Sequence, residues 1–386
     1  MAELRLPTTL TAELGRLGAR RAATARFAPV EATKQLVDQA HEQATMLGVQ
    51  PALMVVAGQA VILDESRCMQ PDPFRQKRSM EPEVLQPSLS NSPALVALNL
   101  EQGGPPAVLS PGKDDQAMEV LFWDGPMPQD QVLQVCQGRV LIPMAAGERG
   151  AVAIHSWGAA GTWGNHVVVC HLQRDARLDL GIFAHGGQQT TLAILAQLAE
   201  GAVLNMCSMG RLMGLHRTHA GILLHGPGAH YTWRGAVGVM DQDDSACRLQ
   251  VRHLAPDTRS MVRARTLAAQ RGRLAFEGHV AIAQAACGSE SLVKSDGVLL
   301  DQGAWLESRP EFFIETDAVQ CAHGATVGCL DQEALFYLRS RGLDERAARR
   351  GLLHAQLQDV WDGITPTLAP MARRVTDQLV EAVLDS

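Results

Sequence analysis

Apolar residues recur at helical spacing from about Thr11 to Leu47. Leu36, Ala40 and Ala44 fall on one stripe of the second half, and Pro29 divides the stretch into two helices. The apolar run Leu53 to Leu63 predicts a strand or hairpin. Cys68 to Pro93 then carries Pro71, Pro73, Pro82, Pro87 and Pro93 among serines, the composition of a linker or long loop. From about Ala94 to Val319 the texture changes to short Val, Leu and Ile pieces split by glycine. Only Thr190 to Leu198 suggests a helix there.

Within that central stretch the chain resembles itself. Small residues open apolar segments at Ala151, Ala176, Ala202 and Ala229, and Gly278 and Gly303 repeat a similar spacing, giving a period near 25 residues. A unit of that length made of strands and tight turns fits one coil of a β-solenoid. Alternation places Leu178, Leu180 and Ile182 inside and turns Arg177 and Asp179 to water. An antiparallel sandwich is the competing architecture.

After Leu330 the helical period returns. Asp331 is placed to cap Gln332 to Ser340, Gly342 ends that helix, and Asp344 opens a second with Leu353, Leu357, Val360 and Trp361 on one stripe. Pro366 and Pro370 interrupt it. A last helix from about Met371 to Leu384 repeats Val375, Leu379 and Val383. Such a tail could close the open end of the solenoid or present a docking face.

Composition narrows the function. Hydrophobic residues are 46% and charged residues 19% of 386, which predicts a globular chain of two or three units or of one large solenoid with appendages. The net charge of −7 argues against a general nucleic-acid binder. Eight cysteines without a Cys-x-x-Cys pair suit reduced thiols and a cytoplasmic location. No apolar run is long enough for a membrane span. Absence of a G-x-x-x-x-G-K-[ST] loop predicts no ATP site in the chain.

Cys321 and His323 are the candidate chemistry. Two residues apart on a strand, they leave the same face and could act as a soft ligand pair, or be a packed thiol beside a hydrogen-bonded imidazole. His166 with His171, His216 with His219 and His225 with His230 raise the alternative of a metal-dependent β-helix enzyme using surface histidines. Solvent-facing imidazoles without a ligand role are the plainer expectation for them.

The stretch Cys321-Ala322-His323-Gly324-Ala325-Thr326-Val327-Gly328, followed by Phe336 to Gly342, resembles the SufB/SufD family, and its SufD branch in particular. Looser likeness runs back to about Val140. The resemblance implies a mainly β fold, a right-handed parallel β-helix flanked by N- and C-terminal helical regions. Its expected divisions are 1–105 for a helical region with linker, 106–330 for the β-helix and 331–386 for a docking tail. It also implies a non-catalytic scaffold subunit for iron–sulfur cluster assembly, paired with a SufB-like subunit and bound to a SufC-like ATPase that hydrolyses the ATP. A homodimer is the default for the isolated chain.

By the same resemblance, His323 helps hold a transient cluster shared with SufB, with Cys321 beside it. Cys321, His323, Gly324 and Thr326 would face the heterodimer partner. Phe336, Tyr337, Arg339, Arg341, Leu353, Leu357 and Trp361 would meet SufC. SufB relatives carry a glutamate where this chain has Gly324 and a sulfur-accepting cysteine where it has Gln302. Both differences favour the SufD branch. The family's N-terminal element, similar to Lys-x-Glu-x-Trp-Lys-Tyr-Thr, is not recognisable in residues 1 to about 105.

Overall fold

Strands whose alternate residues are apolar must bury one face, and a chain of many short ones can do so by winding round a shared core. The computed structural model describes residues 34–56, 59–63, 68–69, 99, 106–111, 116–125, 134–159, 162–187 and 189–386. They begin with α1 (Lys34–Leu47), β1 (Leu53–Val56), β2 (Gln59–Ile62), β3 (Cys68–Met69), β4 (Ala107–Leu109), β5 (Met118–Asp124) and β6 (Gln134–Cys136). The run continues with β7 (Arg139–Met144), β8 (Arg149–Gly158), β9 (Thr162–Leu172), β10 (Arg177–Ala184), β11 (Gln189–Leu198), β12 (Val203–Arg211) and β13 (Leu215–Leu224). It ends with β14 (His230–Val239), β15 (Asp244–His253), β16 (Arg259–Ala268), β17 (Arg273–Ile282), β18 (Glu290–Leu299), β19 (Trp305–Ile314) and β20 (Gln320–Cys329). Three helices follow: α2 (Gln332–Ser340), α3 (Glu345–Trp361) and α4 (Ala369–Leu384).

Strands alternate between two ten-stranded sheets, one ending in β18 and β20, the other in β17 and β19. Pairing is parallel except between β1 and β2 and between β3 and β4. The result is a β-solenoid of about seven turns. Arg177, Val203, His230, Arg259, Glu290 and Gln320 are successive register partners, so the coil lengthens from 26 residues to 30 or 31 along the chain. Ala176, Ala202 and Ala229 occupy equivalent, fully buried corners. Ala151 pairs with Asp179 rather than matching Ala176, and Gly278 lies within a strand whereas Gly303 lies in a turn, so those three do not belong to the repeat.

Leu178, Leu180 and Ile182 line the bore with Leu192, Ile194, Leu204, Ile222 and Val262 in one continuous core. Each such side chain gives about 1.5–3 kcal/mol on burial. At a coil corner Gly201 has φ +65°, and a Cβ there would lie 2.3 Å from the Asp175 carboxylate, so glycine is required. Thr190 to Leu198 is not a helix but lies within strand β11. Its Leu192, Ile194, Ala196 and Leu198 enter the bore while Ala193 and Leu195 are buried on the outside. Burial on both faces removes the polar alternation that marks a strand.

The tail does not close the open end. Leu353, Leu357, Val360, Leu368, Ala372, Val375, Leu379 and Val380 pack along the flank of the first sheet, over Ala153, Phe183, Cys207, Met209 and Ala236. Asp179 therefore does not face water; it is half-buried beside the tail, accepts from Asn205 at 2.8 Å, and burial raises its carboxyl above the usual range. The caps stand where expected: Asp331 accepts from Glu333 and Ala334, Asp344 from Ala347, and Gly342 leaves α2 at φ +97°. In α1, Ala40 and Ala44 are buried with Leu36 beside them. The helix expected before Pro29 lies outside the described residues, as does the proline-rich stretch after Met69, while Cys68 and Met69, expected to open that linker, form strand β3 against β4. No described helix is long and apolar enough to cross a membrane.

Candidate functional site at the open end

The last coil leaves two strands with one neighbour each: β19 pairs with β17 and β20 with β18, and among the described residues nothing covers their outer edges. Such edges present unpaired N–H and C=O groups to a further strand or chain. Phe313 is 60% exposed, and Trp305, Ile314 and Val327 are also exposed around this end.

Register settles which side chains of β20 turn inward. Cys321, His323 and Ala325 stack on Ser291, Val293 and Ser295 of β18, all three buried. Cys321 packs against the core with Phe312, and the His323 ring lies 5.0 Å from that of Phe312. Cys321 and His323 therefore share a face, at the mouth of the bore, and the imidazole remains exposed. Burial pushes the Cys321 thiol up, opposed by a hydrogen bond with the Ser291 backbone. Gly324 and Thr326 point the other way. A Cβ at Gly324 would meet nothing within 4 Å, and the Thr326 hydroxyl donates to Asp296.

One thiol and one imidazole are two donors, fewer than the four of a tetrahedral iron or cluster corner. No described group of three or more His, Cys, Asp or Glu is placed to hold a metal. The donor types, a thiol and an imidazole, are ones that iron accepts.

Beneath the mouth runs a polar thread that spacing did not reveal. His253, fully buried at the end of β15, meets Thr258 at 2.8 Å through Nδ1 and Ser260 at 2.9 Å through Nε2. Ser260 meets Ser291 at 2.8 Å, directly under Cys321. Burial holds the His253 imidazole down at about 4. The hydroxyls satisfy one another inside an apolar bore, where an unmatched one costs about 1–3 kcal/mol.

Of the other histidines, His225 is exposed as expected, His171 and His230 are partly exposed, and three differ. His166, His216 and His219 are buried rather than solvent-facing. His166 Nε2 donates to Asp124 at 2.8 Å, and its Nδ1 accepts from the Gly138 N–H. His216 sits beside Thr218 at 3.1 Å, while burial takes both His216 and His219 to about 4. The pairs close in sequence do not assemble into metal clusters.

Of the expected tail contacts, α2 is free. It has no buried residue, Phe336 is 75% exposed, Tyr337 is 55% exposed, and Arg341 stacks on the Tyr337 ring at 5.1 Å. Arg339 pairs with Glu345 at 3.5 Å. Leu353 and Leu357 are fully buried and Trp361 half-buried, with its indole near Thr376 at 3.5 Å. Leu353 and Leu357 bind the tail to the solenoid and are not free to meet a partner, whereas Trp361, at the edge of that cluster, keeps part of its surface exposed. Gln302 lines a groove of about 430 Å³ with Cys329, Leu335 and Arg349, at the corner beyond the far end of β20 from His323.

The sequence of the solenoid and the start of its tail matches a known family. The family described as SUF system FeS cluster assembly, SufBD core domain, matches residues 127–356, more than half of the chain. The chain belongs to the SufB/SufD family. It is 35% identical over 91 residues to the iron–sulfur cluster assembly protein SufD of Escherichia coli (strain K12), covering 24% of this chain and 22% of that protein. A SufBD family protein of Mycobacterium leprae (strain TN) is 29% identical over 196 residues, 49% of this chain and 48% of the relative. SufB of Bacillus subtilis (strain 168) is 32% identical over 96 residues, 25% and 21% respectively. The chain thus spans about a fifth to a half of the length of these relatives.

Proposed function

We propose that this chain is a SufD-like scaffold subunit of a SUF iron–sulfur assembly complex, pairing with a SufB-like subunit across the open end. The observation that carries this reading is the pairing of Cys321 and His323 at the uncovered mouth, two soft donors in need of a second polypeptide. The bare edges of β19 and β20 and the exposed Phe313 and Val327 supply the adhesive surface around them. Gly324 and Thr326 lie on the outward face of the same strand and contribute to that contact. A nascent cluster is cargo here, built at the junction and passed on.

The exposed surface of α2, with Phe336, Tyr337, Arg339 and Arg341, is where a SufC-like ATPase docks, and hydrolysis belongs to that subunit. Residues 106–330 then act as the rigid body, and 331–386 as the lever. ATP binding draws the two subunits' tails together and strains the contact at the mouth. In isolation the chain pairs with a second copy of itself, and it works in the cytoplasm. The test is reconstitution with SufB-like and SufC-like partners. His323→Ala leaves the complex assembled and abolishes cluster formation; a normal cluster yield would remove His323 from the site.

A further inference from the structure

A line of charged side chains leads from the tail to the strand that carries His323. Arg265 of β16, Asp296 of β18 and Thr326 of β20 occupy one column of the first sheet's outer face, being successive register partners. Asp359 of α3 grips the first of them at two points. Its Oδ1 accepts from Arg265 Nε at 3.0 Å and its Oδ2 from Arg265 Nη2 at 2.7 Å. The remaining Nη1 of Arg265 donates to Asp296, whose other oxygen accepts from the Thr326 hydroxyl. Arg263 approaches Asp359 at 3.4 Å and Lys294 approaches Asp296 at 3.7 Å, flanking the line.

The line is stiff for physical reasons. Guanidinium is planar and its donors are fixed in a fork, so one Arg bonded to two carboxylates locks their separation. Arg265 and Asp296 side chains are 16% and 14% exposed, so solvent cannot readily replace either partner. Burial opposes charge at Asp359, yet the bond to Arg265 still holds its carboxyl below the usual range. The apolar anchors of α3 rest on the middle of the solenoid, which makes this column its polar connection towards the terminal coil.

We propose that Asp359, Arg265, Asp296 and Thr326 are positioning residues that transmit movement of the tail to β20, and so set the placement of His323. When α3 shifts, Arg265 must follow Asp359 or leave a charge unpaired, and either outcome alters the hold of Asp296 on Thr326, three residues from the imidazole. The proposal rests on reading the tail as the ATPase dock and the mouth as the site.

Amide hydrogen exchange across residues 320–329 tests it, first in the full chain and then in the reconstituted complex. Asp359→Asn and Thr326→Val each raise exchange in β20 by roughly tenfold, and the double variant by no more than either alone, because both cut the same line. Roughly hundredfold exchange in the double variant, or no change at β20 in Asp359→Asn, would overturn the proposal. Arg346→Gln, which removes contacts to Glu381 and Asp385 on the far side of α3, leaves β20 unchanged. Should Asp359→Asn loosen the whole fold, exchange in β10 rises too; Asp359→Glu must then restore β20, and failure to do so counts against the relay. In the complex, a non-hydrolysable ATP analogue alters β20 exchange in the native chain and not in Asp359→Asn. If the ATPase does not bind the tail, the docking reading fails, while the double-variant cycle in the chain alone still decides the relay.

Discussion

Leu357 and Phe336 lie twenty-one positions apart on two consecutive tail helices and should fail in opposite ways. Leu357 is fully buried, packed with Leu353, Val360, Ala372 and Leu379 against the flank of the solenoid. Truncation to alanine removes buried methyl groups and leaves a cavity, at a cost of about 2–5 kcal/mol. Phe336 is 75% exposed and touches no core, so its truncation changes stability by less than about 0.5 kcal/mol. If the exposed ring is an anchor for the ATPase, however, its loss weakens binding by more than about 1 kcal/mol, roughly fivefold or greater. Urea denaturation followed by exchange of tail amides measures the first quantity, and titration calorimetry with the SufC-like subunit the second. A Leu357→Ala chain of native stability that has lost ATPase binding would refute the assignment of α3 as an internal strut. A Phe336→Ala chain that binds normally would refute α2 as the dock.

Three further outcomes follow from the geometry. His253 has its imidazole held at about 4 against an ordinary value near 6.5, so folding excludes its proton. Its contribution is complete above pH 6.5 and is lost as pH falls through 4; between pH 6.5 and about pH 5 the chain loses about 1.5 kcal/mol from this group, and His253→Gln flattens that slope in denaturation curves. Gly324→Glu, the SufB-type residue, fits open space beside Lys294 on the neighbouring strand and leaves stability unchanged or improved by roughly 0.2–1 kcal/mol; a loss above that in thermal melts would show that the outward face is not free. Alkylation near pH 8 labels exposed Cys287 and Cys329 first and Cys321 more slowly, and reaches Cys170 and Cys247 only on unfolding; early labelling of Cys170, detected by mass spectrometry, would mean that the bore is not closed.

What could be read in advance followed from local periods. The corners at Ala176, Ala202 and Ala229 are visible because one small residue must fit the same tight turn in each coil. Cys321 and His323 are visible because two residues is the period of a strand. Thr190 to Leu198 misleads because both faces are covered, and alternation vanishes where both sides are apolar. Asp179 and the buried histidines mislead for a different reason. Charge and polarity on alternate residues predict water, whereas the cover over Asp179 comes from helices far along the chain, and His216 finds a hydroxyl partner inside the bore. The column Arg265, Asp296, Thr326 needs steps of 31 and then 30 residues, which only the hydrogen-bonded register supplies.

The mouth differs from the deeper core in what its polar groups are bonded to. Deeper in the solenoid His166, His216 and His253 are matched to a carboxylate or to hydroxyls, so each would have to give up a bond already made in order to bind a metal. At the last coil Phe312 supports the His323 ring from one side only, and Cys321 has one backbone partner. Stacking one more coil on β20 would bury both groups as their equivalents are buried below, Tyr231 and Ser260 beneath Cys321, Trp233 and Val262 beneath His323. Ending the solenoid at β20 thus leaves two positions that are core in the coils below within reach of solvent. The cost is an open pair of strand edges, and under the proposed pairing those same edges are the surface that a second polypeptide covers.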